Sequence, residues 1–172
     1  INQTTDISLT PAPGNPALEP KITPSGSNLL GTLTWPANTV LRGDIFKYTA
    51  SGVFTKAAGT TDVSFKFYIL NTVTNVYTLV ATVIDSTNST ATLNYRLETV
   101  MQLRTDPGTN AFFCFGGVAH TGDPATPSTK LLNNNPALIN TTVATSFLVT
   151  CVFNTSNATN TVACNITSFQ TM

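Results

Sequence analysis

Between Ala91 and Arg104 the chain alternates with period two for fourteen residues. Ala91, Leu93, Tyr95, Leu97, Met101 and Leu103 share one face with Thr99. Thr92, Asn94, Arg96, Glu98, Gln102 and Arg104 share the other with Val100. Successive side chains of a strand point to opposite faces, whereas a helix brings every third or fourth residue round to the same side. Burying each large apolar member contributes about 1.5–3 kcal/mol. The stretch is therefore expected to be a central strand whose Leu97 face is covered by a second layer.

The rest of the chain follows the same grammar, with no helix-period segment. Strands are expected at Leu29–Trp35, Ile45–Ala50 resuming at Val53–Phe54, Asp62–Leu70, Val76–Ile84, Ala111–Ala119, Thr141–Phe153 and Thr161–Phe169. Proline and glycine punctuate them. Pro36 and Gly43–Asp44 break the first two runs apart, Ser51–Gly52 marks a corner, and Asp106–Pro107–Gly108 is a turn with a side-chain acceptor and a fixed φ. Gly116–Gly117 suggests a bulge or a close approach. Thr121–Asn135 is expected to be a loop of about fifteen residues, long enough to carry a contact. Residues 1–28 hold Pro11, Pro13, Pro16, Pro20 and Pro24 without alternation and read as an extended arm or linker ahead of a domain at 29–172. The first residue is Ile1, which suggests a processed chain or a piece of a longer one. Eight or nine strands and no helix predict an all-β jelly-roll sandwich or a barrel.

Charge excludes some functions. Only 9% of the 172 residues are charged, against roughly 25% in ordinary soluble domains. Thirty-three threonines and seventeen asparagines replace them. Eight basic and eight acidic residues leave no basic stripe to neutralise phosphates, so neither nucleic acid nor an anionic membrane is an expected partner. No apolar run reaches the roughly 18 residues of a spanning helix, and membrane insertion is not expected. A surface of hydroxyls and amides instead suits packing against copies of the same chain, because few charges need desolvation.

Reactive constellations are sparse. His120 is the sole histidine, and no nucleophile elbow accompanies it, although Asp123 and Ser128 lie close in sequence. One histidine and three scattered cysteines do not make a zinc spacing. Asp44, Asp62, Asp85, Asp106 and Asp123 each stand beside an expected turn, where aspartate bends backbone; Asp106 and Asp123 are the pair that a glycosidase reading would use. No enzyme activity and no cofactor is expected. Cys151 and Cys164 flank the turn-rich Asn154–Asn160, so a simple hairpin would place them opposite each other as a disulfide. Strands in different sheets would leave them as buried thiols. Six Asn-x-Ser/Thr sequons occur where composition alone gives about four; Asn88, Asn154 and Asn157 are the turn sites best placed for glycosylation.

Gly31, Leu33, Thr34, Trp35, Pro36, Ala37 and Asn38, then Gly43, Asp44 and Phe46, then Ser51, Gly52 and Val53, form one pattern. It resembles the opening strands of trimeric jelly-roll heads of the tumour-necrosis-factor/C1q-like type, found in viral fibre, spike and capsid-associated proteins. The resemblance covers some 25 residues and concerns packing rather than chemistry. It implies a homotrimer on a virion surface or in an extracellular setting: a spike, a fibre head or a minor capsid component. Such a head would contact other capsid or fibre proteins and a host glycan or receptor. Tyr48, Tyr68 and Val100, assigned to outward faces, are the expected trimer interface. The rival expectation is a secreted carbohydrate-binding module or adhesin, stacking sugars on exposed aromatics; Trp35, the sole tryptophan, is instead expected in a corner of the core.

Overall fold

The computed structural model describes residues 34–57, 61–123, 126–131, 133–134, 137–154 and 160–172. The expected arm at 1–28 lies outside them, as does most of the Leu29–Trp35 run. Eleven strands and no helix occur among the described residues: β1 (Thr34–Trp35), β2 (Ile45–Thr55), β3 (Val63–Asn71), β4 (Val76–Asp85), β5 (Thr92–Leu103), β6 (Ala111–Asp123), β7 (Thr126–Leu131), β8 (Asn133–Asn134), β9 (Ala137–Ile139), β10 (Thr145–Phe153) and β11 (Thr161–Thr171). All pairings are antiparallel. One sheet runs β1-β10-β3-β4-β8 and the other β11-β2-β5-β6-β7, with β9 also on β6. The two pack face to face as an all-β sandwich of the jelly-roll class. The chain crosses between layers after β1, β2, β4, β7, β8, β9 and β10, while β3–β4, β5–β6 and β6–β7 stay within a layer.

The long alternation is β5, at the centre of the second sheet between β2 and β6. Leu93, Tyr95, Leu97, Thr99, Met101 and Leu103 are all buried, and the alternate positions face solvent. Opposite them, β3 and β10 present Val63, Phe65, Phe67, Ile69, Phe147, Val149 and Phe153. Aromatic rings span the gap: Phe65 meets Tyr95 at a centroid distance of 4.9 Å, and Tyr48 meets Phe147 edge-on at 5.2 Å. Trp35 closes one end against Phe46, Phe113 and Phe169.

Two local expectations change, and a third is narrowed to one of its alternatives. The corner at Ser51–Gly52 is absent, because β2 continues straight through it to Thr55. Gly52 serves close packing instead: a Cβ there would stand 2.0 Å from the Ala163 carbonyl oxygen and 2.8 Å from the Tyr95 hydroxyl. Gly117 likewise lets the Glu98 carbonyl approach, and the β5–β6 register is unbroken across Gly116–Gly117. Bulges fall instead between Phe67 and Tyr68 and between Cys164 and Ile166. Finally, much of the expected loop at Thr121–Asn135 is strand, because β6 extends to Asp123 and pairs with β7.

One end of the sandwich is held by charge. Lys56, just past β2, and Asp85, the last residue of β4, come from opposite sheets, and both side chains are fully buried. Their Nζ and Oδ1 atoms stand 3.5 Å apart, and Lys56 also donates to the Thr87 carbonyl. Asp85 accepts from the Thr87 amide at 2.9 Å and from its hydroxyl at 3.2 Å. Beside them, Asn160 accepts from the Ala57 amide at 2.7 Å. Removing one member of such a pair strands the other charge in the interior. Lys56→Ala is expected to destabilise the fold by about 3–5 kcal/mol in urea unfolding. A Lys56→Met/Asp85→Leu double variant is expected to recover most of that loss, and equal losses in both variants would disprove the clamp.

Candidate functional site

The two outer faces differ in chemistry. On the second sheet, cross-strand register sets Ser51 of β2, Arg96 of β5 and His120 of β6 in one row. The adjacent row holds Ser168, Thr49, Glu98 and Val118. Residues directly opposite in such rows have Cβ atoms about 4.5–5.5 Å apart. Every polar side chain type needed to grip a small polar molecule is therefore gathered on a rigid, paired surface. A groove of about 220 Å³ opens there, lined by Thr49, Ala50, Ser51 and Arg96.

Arg96 dominates the groove. Its Nε lies 2.8 Å from Glu98 Oε1, and its side chain remains two-thirds exposed. The Nε contact leaves the paired Nη edge of the guanidinium, a planar fork that suits carboxylates. Thr49 shares a 2.7 Å hydroxyl contact with Ser168. None of these residues was singled out from sequence except His120. The alternation places Arg96 and Glu98 on the polar face of β5, but only the β2–β5 register reveals Thr49 and Ser51 beside them.

The residues expected to carry function are scattered. His120 sits mid-sheet on β6 rather than in a loop, facing Arg96, whose carboxylate partner is Glu98. Asp106 lies ahead of β6 and Asp123 is its last residue, so the thirteen-residue strand, roughly 40 Å long, separates them. They do not form a catalytic pair, and Asp106 instead approaches Arg42 at 3.8 Å on the surface. Turn roles hold for Asp44, which accepts from the Leu41 amide at 2.8 Å, and for Asp85. Among the described residues, no group of three or more His, Cys, Asp or Glu side chains could hold a metal ion. No helix there is long and apolar enough to cross a membrane.

Cys151 and Cys164 do not form the hairpin bridge. They lie on β10 and β11, which belong to different sheets, and both are buried thiols with no disulfide between them. Tyr95, which donates to the Ala163 carbonyl at 3.2 Å, also contacts the Cys164 thiol. Of the sequon residues, Asn88 is exposed in the β4–β5 connection. Asn154 is engaged: its Oδ1 accepts from the Asp62 amide at 3.0 Å and its Nδ2 donates to the Asp62 carboxylate at 3.3 Å. Asn157 lies outside the described residues. The expected interface residues do not share a surface. Tyr48 is fully buried against Phe147, Tyr68 is on the outer side of the first sheet, and Val100 is on the outer side of the second. The β2 sequence permits two apolar phases, and the core takes Phe46, Tyr48 and Ala50.

No family model, curated protein or solved structure matches the chain.

Burial, and next the Cys164 thiol, push both the Tyr48 and the Tyr95 phenol well above their ordinary range. An unfolded tyrosine ionises near pH 10, so the unfolded chain loses protons there that the folded chain keeps. Stability is expected to hold below about pH 10 and fall above it. Ultraviolet titration should show these two phenolates appearing only as near-ultraviolet dichroism is lost. In the native protein only Cys114, which is exposed, should react rapidly with a thiol reagent. All three cysteines should react in denaturant without reductant; a single reactive thiol there would restore the bridge.

Proposed function

We propose that the chain is a non-enzymatic structural head of the tumour-necrosis-factor-like jelly-roll type, displayed on a virion surface and assembled as a homotrimer. The observation that carries this reading is the outer face of the first sheet. Register places Tyr68, already buried within the subunit at 5% exposure, and the half-buried Leu70 of β3, Tyr77 and Leu79 of β4 and Leu148 of β10 on that face. Tyr68 and Tyr77 meet edge-to-face at 6.2 Å. Val73 and Val76, at the tip of the same hairpin, are 68% and 57% exposed. The equivalent face of the second sheet is mixed, with Lys47, Thr49, Ser51, Thr92, Asn94, Arg96 and Glu98 set among Ile45, Val53 and Val100. A sandwich needs one apolar face per sheet, and a second one on β3–β4 has no use within that pair of layers.

The occupant best suited to this face is another copy of the chain. With so few charges, little needs desolvation when copies meet, and closed cyclic contact buries the same patch on every subunit. The Trp35-based sugar platform of a carbohydrate-binding module has no support, since Trp35 is 9% exposed and packed among phenylalanines.

Light scattering on the eluting protein is expected to give three times the 18.2 kDa chain mass. Leu79→Glu should shift the mass toward one chain while leaving the β-type circular dichroism unchanged. A wild-type mass of one or two chains at every concentration would overturn the trimer.

A further inference from the structure

The groove on the second sheet faces away from the proposed assembly surface and has its own chemistry. It contains one cation, Arg96, whose Nε is held by Glu98 at 2.8 Å. Ser51, directly across from Arg96 on β2, accepts or donates no hydrogen bond through its hydroxyl within the described protein, and Thr49 beside it has spare hydrogen-bonding capacity beyond its contact with Ser168. Ala50 completes the lining. All four stand on paired strands at the middle of a sheet, where little ordering remains to be lost on binding.

We propose that this groove binds a carboxylate-bearing monosaccharide unit. A planar guanidinium edge takes a carboxylate with two parallel hydrogen bonds, and one cation suits one negative charge. A phosphate dianion would require more positive charge than a lone arginine already shared with Glu98 provides. The two hydroxyl side chains fit the alcohol groups of a sugar ring, and a volume of about 220 Å³ has room for one ring. Glu98 is a positioning residue: its carboxylate fixes the Nε edge, so the Nη edge is presented to the groove. His120, the next residue in the row, lies on the far side of Arg96 from Ser51.

The test is a backbone-amide nuclear magnetic resonance titration of the intact protein with glucuronate, and with glucose and acetate as its two halves. Glucuronate is expected to shift the amides of Thr49, Ser51 and Arg96, with affinity at least about tenfold above that of either half, since acetate lacks the ring hydroxyls and glucose lacks the carboxylate. Arg96→Gln should abolish the response, and Arg96→Lys, which keeps the charge but loses the fork, should weaken it. Both substitutions are at an exposed side chain, and matching melting temperatures would confirm intact folding. Equal binding of acetate would overturn the sugar assignment. An unchanged titration in Arg96→Gln, or no localised shift at all, would overturn the site. The readout does not depend on oligomeric state, so a monomer would refute the trimer and leave the groove to be judged separately.

Discussion

The fold depends on contact between aromatic rings across the interior. Trp35 lies 4.9 Å from Phe46, Phe46 stacks on Phe169 at 5.9 Å, and Phe169 reaches Phe147 at 6.3 Å. Phe147 then touches Tyr48 and Phe67, and further along Phe65 joins Tyr95 and Phe54. These rings come from both sheets and run most of the length of the sandwich. Two stacked sheets stand about 10 Å apart, a gap that interdigitating side chains must fill. Large rings fill it with few residues, each adding geometry-specific contact beyond its buried area. That economy leaves the remaining positions free to be threonine and asparagine.

The same packing explains the polar exceptions inside. Tyr48 and Tyr95 are accepted because their hydroxyls find partners, Tyr95 on the Ala163 carbonyl. Gly52 is the compensating gap, since any side chain there would collide with both that carbonyl and the tyrosine oxygen. The Lys56–Asp85 pair does a different task at the end of the sandwich, where the aromatic rings stop and loops from both sheets converge. A buried pair is a weak source of net stability but a strong constraint on which groups must meet. It fixes how the β2 exit sits against the β4 exit.

What was legible in the sequence follows from what each signal measures. Period-two alternation depends on one covered face, so β5 could be read from Leu93 to Leu103, and β3 from Val63 to Ile69, with their inward residues correct. Both the fold class and the lack of helix among the described residues follow from that signal. It failed where both faces are apolar or where neither is. In β2, Ile45 and Phe46 offered two phases, and Tyr48 was assigned to the wrong one. In β7, Thr126–Leu131 has little apolar periodicity and pairs only because β6 extends beside it. Cys151 and Cys164 are left open between bridge and buried thiols, because sequence proximity cannot tell a hairpin from a crossing between sheets. The groove was illegible for the same reason: Ser51 and Arg96 are neighbours only through register.

The two outer faces then divide what the low charge makes available. Charged residues are costly at a self-association surface, and the first sheet's outer face sets tyrosine and leucine on β3 and β4 beside a single β3 charge, Lys66. A binding surface for a small polar ligand needs the reverse, a fixed charge among hydroxyls on a backbone that does not move. Arg96 and Glu98 supply it on β5, the strand with paired neighbours on both sides. Placing the ligand-competent chemistry on the sheet opposite the apolar one keeps the two from competing for area. Assembly through the first sheet would leave every copy of the groove open to solvent, so that weak single contacts could add up across the assembly.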